Sequence, residues 1–209
     1  MCAICKRIAH GMHTMKRKPD FDHLYQIAES QAGYFTTKQA KEAGYSRERL
    51  SKLRARGQFK GIHYGIYRLT HFPETRFEDL HIASLRTGPH SAISHDSALA
   101  VYDLSDILPT QTHIIMPRTG SRRREGIQLH THKLQEDEIT QREGFRITTV
   151  ARTIADVILS GVSYQHIQQA IQEALRRGLT TEKKLRKQAE RRKGQVEKYI
   201  SQIIEAKSS

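Results

Sequence analysis

Between Tyr34 and Leu69 the chain reads YFTTKQAKEAGYSRERLSKLRARGQFKGIHYGIYRL, and this stretch leaves few folds open. Thr36 or Thr37 can cap a first helix, because a hydroxyl there accepts amide hydrogens that the opening turn leaves unpaired. Ala40 and Ala43 give that short helix a small inward face, and Gly44 can take the positive φ that ends a helix and reverses the chain. Ser46 opens a second helix. Its Leu50 and Leu53 share one face at i, i+3 spacing, whereas Arg47, Arg49, Lys52, Arg54 and Arg56 spread over the others. Gly57 closes it. Phe59, Ile62, Tyr64, Ile66 and Tyr67, set around Gly61 and Gly65, then read as a two-stranded ribbon with a glycine turn. A helix-turn-helix followed at once by a ribbon is the order of a winged helix.

The second helix carries five cations in ten residues against one carboxylate, Glu48. A charge run of this kind is often just a solvated face. Here the cations cluster where a recognition helix begins, and a ribbon follows directly. A basic helix end presents guanidinium forks to guanine edges and phosphates, and helix N-termini bind phosphate besides. Arg47, Arg49 and Lys52 are therefore candidates for base or near-base contacts. Arg54, Arg56, Lys60 and His63 are candidates for phosphate contacts, and Thr36, Thr37 and Ser46 at the helix starts complete the DNA-binding set.

Composition agrees with a polyanionic partner. The 209 residues carry 35 Lys+Arg against 22 Asp+Glu, a formal charge of +13. Hydrophobic content is 37% with no Trp, so the core is aliphatic and modest, though a chain of this length can bury one. No run approaches the ~20 apolar residues of a spanning helix, which argues against a membrane anchor. Cys2 and Cys5 form a lone CxxC, with no second CxxC or HxxxH after it to complete a tetrahedral metal site. The first residues lack a secretory h-region, so a cytoplasmic location is expected. Met12 and Met15 are alternative starts.

Three segments follow from the pattern: a disordered basic leader over 1–19, the winged helix over 20–71, and an α+β domain over 74–209 ending in helices. Asp20 caps a helix whose Leu24, Ile27 and Ala28 point inward. His71-Phe72-Pro73 reads as a hinge, since Pro73 restrains its predecessor to extended geometry. Beyond it, Phe77, Leu80, His81, Ser84 and Leu85 lie at helical spacing up to Gly88-Pro89. Ala92-Ile93 is a short buried strand, and Ser94 caps a helix with Ala98, Leu99 and Tyr102. Strands are expected over 112–116, 127–131 and 145–148, with Arg122, Arg123 and Arg124 in a loop between the first two. The tail of the chain is helical. Thr149 caps a first helix (Ile154, Val157 and Ile158 inward), and Ile167, Ala170, Ile171, Ala174 and Leu175 line the second up to Gly178. Thr180 or Thr181 starts a basic helix, and Val196, Tyr199, Ile200, Ile203 and Ile204 form the last periodic set. The mixture is α+β, with a small sheet carrying helices.

Chemistry is harder to find. Ser94, His95 and Asp96 invite a triad, yet Ser94 and Asp96 stand at a helix start, where such residues cap, and no nucleophile elbow surrounds them. His130 and His132 alternate on one strand face, with His113 on a strand that can lie beside it, and three imidazoles can hold zinc. With 12 histidines scattered along the chain, polar-face histidines are the plainer reading. Asp103, Asp106, Glu136, Asp137 and Glu138 sit in loop-like contexts without the carboxylate cluster of a metal nuclease. No catalytic residue, metal or cofactor is expected. The C-terminal cations Lys183, Lys184, Arg186, Lys187, Arg191, Arg192 and Lys193 read as a solvated face, an auxiliary phosphate contact or a surface for an acidic partner.

The run from Leu24 to Leu69 resembles the N-terminal winged helix of AbiEi-family antitoxins of type IV toxin–antitoxin systems. AISHDSALAVYDLSDILPTQTHIIMP, GIQLHTHKL and GFRITTVARTIADVI resemble that family's second domain, so the likeness spans about Phe21 to Leu179. It implies a repressor of its own operon that binds double-stranded DNA at promoter repeats, as a monomer or a DNA-induced dimer. It also implies an antitoxin countering a nucleotidyltransferase-like toxin without gripping it in a stable complex. Two other readings remain open: a nucleic-acid-targeted nuclease using the winged helix for delivery, and a plain winged-helix transcription factor without a toxin partner.

Overall fold

Short-range capping places the first three helices. The computed structural model describes residues 18–106, 109–117 and 124–208; residues 1–17 of the leader, with Cys2 and Cys5, and Arg122 and Arg123 lie outside the described residues. The Asp20 carboxylate accepts the His23 amide at 2.9 Å and starts α1 (Phe21–Glu29), whose Leu24 and Ala28 are buried. After β1 (Tyr34–Thr36), Thr36 and Gln39 close a reciprocal capping box on α2 (Thr37–Glu42). Thr36, then, is the cap. Gly44, at φ +83°, turns the chain toward α3 (Arg47–Ala55), where Ser46 accepts the Arg49 amide at 3.2 Å. β2 (Phe59–His63) and β3 (Ile66–Leu69) form the hairpin, and β3 lies between β1 and β2 in an antiparallel sheet. Strand β1 is an addition to the sequence reading. It is three residues long and pairs with Ile66 to Arg68, too short and too distant a match for local patterning to reveal.

These elements enclose one core of Leu24, Ala28, Phe35, Ala40, Ala43, Tyr45, Leu50, Phe59 and Leu69. Phe35 anchors it, edge-on to Phe59 at 5.1 Å and stacked on Tyr67 at 5.7 Å. Fully burying a side chain of the Leu or Phe class is worth about 1.5–3 kcal/mol, so the few large groups matter most. The His71–Pro73 segment, expected as a hinge, is fastened to this core. Phe72 packs against it, and the Arg68 guanidinium donates to the carbonyls of Phe72 and Pro73.

The rest of the chain builds a larger core. In order come α4 (Glu78–Thr87), β4 (Ala92–Ile93), α5 (His95–Val101), β5 (Thr112–Met116) and β6 (Ile127–Thr131). A 3-10 turn (Glu136–Glu138), β7 (Ile139–Arg142) and β8 (Phe145–Thr148) follow, then α6 (Val150–Leu159), α7 (Tyr164–Arg176), α8 (Glu182–Arg192) and α9 (Gly194–Ser208). The strands form a mixed sheet in the order β6-β5-β4-β8-β7. Helix α6 runs through the middle, with Val150 to Ile158 all buried and α5, α7, α8 and α9 packed around it. Two expected caps differ in detail. Ser94 and Thr149 stand at the N-cap positions of α5 and α6, but neither side chain bonds to the helix amides. The Ser94 hydroxyl is engaged by His95 instead.

Helix α6 also buries charge. Arg152 is fully buried and binds Glu138 and Asp156, each at 2.8 Å, while Arg192 from α8 reaches Glu138 at 2.9 Å. Burial pushes the Asp156 carboxyl up to about 6, with Arg152 opposing the rise. Glu138, held by the Gln135 amide, Arg152 and Arg192, lies below its ordinary value despite the opposing effect of burial. Such a cluster contributes little net stability, but losing one member strands the others.

The two cores meet at one seam. The Tyr34 ring stacks on His81 of α4 at 5.2 Å, and the Phe145 ring stands edge-on to His81 at 5.0 Å. Gly144, at φ +83° in the β7–β8 turn, backs onto the loop after α1. A Cβ there would come within 3.0 Å of the Ser30 carbonyl oxygen.

Candidate nucleic-acid interface

Leu50 and Leu53 fix the inward direction of α3, Leu50 buried and Leu53 half-buried. At roughly 100° per residue, Arg47 and Arg54 then fall on one flank, Arg49, Lys52 and Arg56 on the other. Glu48, Ser51 and Ala55 lie between these flanks, opposite the core. All five cations are exposed, and none forms an ion pair with a described residue. The helix thus shows solvent a narrow strip, the carboxylate of Glu48 followed by the small Ser51 and Ala55, between two basic rails.

The hairpin lies beside one rail. Thr36, Thr37, Lys38, Arg47, Arg54, Gly61, His63 and Tyr64 line a groove between the helices and the hairpin. Two bonds set its width: the Thr37 amide donates to the Gly65 carbonyl at 2.9 Å, and the Thr37 hydroxyl to the same oxygen at 3.2 Å. The Arg54 stem crosses the hairpin so closely that a Cβ at Gly61 would lie 3.3 Å from its Cδ. Tyr64, at the hairpin tip, is 95% exposed. Arg49 faces elsewhere, its guanidinium 5.9 Å from the Tyr45 ring.

The structure therefore gathers Thr36, Thr37, Arg47, Arg54 and His63 into one groove, and places Arg49, Lys52, Arg56 and Lys60 on the exposed surface around it. Ser46 and Thr36 spend their hydroxyls on helix amides. Sequence reasoning passed over Lys38, Ser51 and Tyr64. The helical wheel through Leu50 and Leu53 could have found Ser51; the other two needed the fold.

Three of the C-terminal cations behave differently, while Lys183, Lys184 and Arg186 are exposed as the α3 cations are. Lys187 and Arg191 both bind Asp137, at 2.6 and 3.0 Å, and Arg192 binds Glu138. These three pin α8 to the 3-10 turn.

A second cluster lies on the larger sheet. His113 of β5 and His130 of β6 share a face, and the first residue of α5 adds His95 where the sequence reading had put His132. His95 stacks on His130 with centroids 3.6 Å apart and planes 14° apart, and His130 Nε2 lies 3.3 Å from His113 Nδ1. Burial, then the neighbouring imidazoles, pushes His95 down to about 2 and His130 down to about 4; burial also lowers His113. His132 is exposed.

Residues 22–70, which span α1 to β3, match the family model described as Transcriptional regulator, AbiEi antitoxin. Among solved structures, the RV2827C protein from Mycobacterium tuberculosis is similar at 11% identity and a TM-score of 0.52. The match covers 90% of this chain and 78% of that one, and at such identity it speaks for the fold alone. No curated protein matches the chain. No helix among the described residues is long and apolar enough to cross a membrane.

Proposed function

We propose that residues 20–71 are a winged helix-turn-helix that binds duplex DNA. On this reading the chain is a type IV antitoxin that represses its own operon and counters a nucleotidyltransferase-like toxin. The observation that carries the DNA reading is the surface of α3, two exposed basic rails beside a hairpin whose angle Thr37 fixes. Laid in a major groove, the N-terminal part of α3 brings Arg47, Arg49 and Lys52, with Ser51 between the rails, to base edges. Arg54, Arg56, Lys60 and His63 then fall near phosphates, and Tyr64 extends the hairpin tip along the backbone. The family matched over residues 22–70 supports the antitoxin reading; on that reading residues 74–209 are the part that answers the toxin.

A gel-shift series on the DNA upstream of the gene tests the first half. Arg47→Ala should cost about 1–3 kcal/mol if it reads a base. Undiminished binding by the Arg47→Ala/Arg49→Ala double variant refutes the assignment. Co-expression with an adjacent nucleotidyltransferase-like gene tests the second half. Growth rescue supports the antitoxin, and failure to rescue leaves a plain regulator.

A further inference from the structure

We propose that His95, His113 and His130 form a binding site for one zinc ion, held by three imidazoles with water in the fourth position. The carrying observation is geometric: one ring nitrogen from each residue lies within 4.8 Å of the other two. The His130 Nε2 to His113 Nδ1 separation of 3.3 Å is about the edge of a tetrahedron whose metal–nitrogen bonds are about 2.0–2.1 Å. Three neutral nitrogens suit zinc and its neighbours and are poor donors for magnesium or calcium.

Two further features point the same way. The Ser94 hydroxyl, fully buried, lies 2.9 Å from His95 Nδ1, which fixes the ring and leaves Nε2 to ligate. A metal-bound imidazole characteristically has its other nitrogen held in this way. His95 also opens α5 at φ +50°, a left-handed conformation that glycine adopts freely and other residues do not. The chain accepts that strain and so directs an imidazole at the two strand histidines. Loading opens the His95–His130 stack, because parallel rings aim their lone pairs side by side and must tilt to converge.

The test uses full-length untagged protein with Cys2→Ser and Cys5→Ser, so that the leader thiols bind no metal. Zinc is titrated against a chromophoric chelator, and cobalt(II) substitution is followed by visible absorption. One equivalent should bind, and cobalt should give the intense bands of a four-coordinate ion. His95→Asn (asparagine tolerates the left-handed backbone), His113→Gln and His130→Gln should each weaken zinc at least about 10–100-fold. His90→Gln, outside the cluster, should bind as the parent does. The parent's melting temperature should rise with zinc and return with EDTA, a readout that needs no ligand variant to fold. A parent that binds no zinc, or equal binding by all three ligand variants, overturns the proposal.

Discussion

Helices α3 and α8 look alike as strings of letters: each is short, rich in lysine and arginine, and carries a glutamate in its first turn. The fold treats part of the second differently. On α3 the cations face water with no ion pair to a described residue, whereas on α8 Lys187, Arg191 and Arg192 are tied to Asp137 and Glu138. The distinction lies some fifty residues away, in whether the chain returns with an acidic turn. A basic run becomes a surface for polyanions only when the fold withholds counter-charges from it.

The largest expected effect sharpens the contrast from the anchored side. Arg152→Met leaves Glu138 and Asp156 buried without their shared partner, and urea unfolding should show a loss of about 3–5 kcal/mol. A loss below ~1 kcal/mol would mean that water or Arg192 already satisfies these carboxylates.

The seam between the regions offers the next. Burial, with Arg68 nearby, lowers His81 from 6.5 to about 4. Between those values the unfolded chain binds a proton that the folded chain refuses, so stability falls as pH drops from about 6.5 to 4. The contribution approaches about 3 kcal/mol at the acid end. His81→Leu should make that part of the stability–pH curve less steep, the lowered histidines of the sheet cluster contributing the rest; an unaltered slope would show that His81 contributes nothing to it.

Smaller effects probe the open helix. Arg47→Ala should lose about 1–3 kcal/mol of DNA affinity, while Lys187→Gln should lose none. If the two substitutions weaken binding equally, the distinction between α3 and α8 fails. Lys60→Ala should lower the salt slope of binding by about one unit, the share of a single phosphate contact.

Much of the first region was legible because its signals are local. Asp20, Thr36 and Ser46 cap helices with bonds from the amide three residues onward, Gly44 takes the positive φ expected of it, and Gly57 follows the end of α3 as expected. The inward stripe of α7 was equally plain. Strands β1 and β7 were missed, since each is too short to show a period and acquires its identity from a partner. The buried Arg152 was hidden for another reason: Arg152 and Asp156 on a helix look like an ordinary surface pair until Glu138 arrives from an earlier turn. Among the histidines, His113 and His130 were suspected together, but His95 joins them only through the placement of α5 on the sheet.

The close fit of Gly144 against the Ser30 carbonyl bears on how such a chain can diversify. The front portion is not a free cassette, because its Tyr34 has the back portion's His81 for a lid. Splicing it onto an unrelated body would bare that ring to water. A lineage can thus rewrite the outward letters of α3 at small structural cost, while exchange of whole halves must carry the β7–β8 hairpin and α4 along.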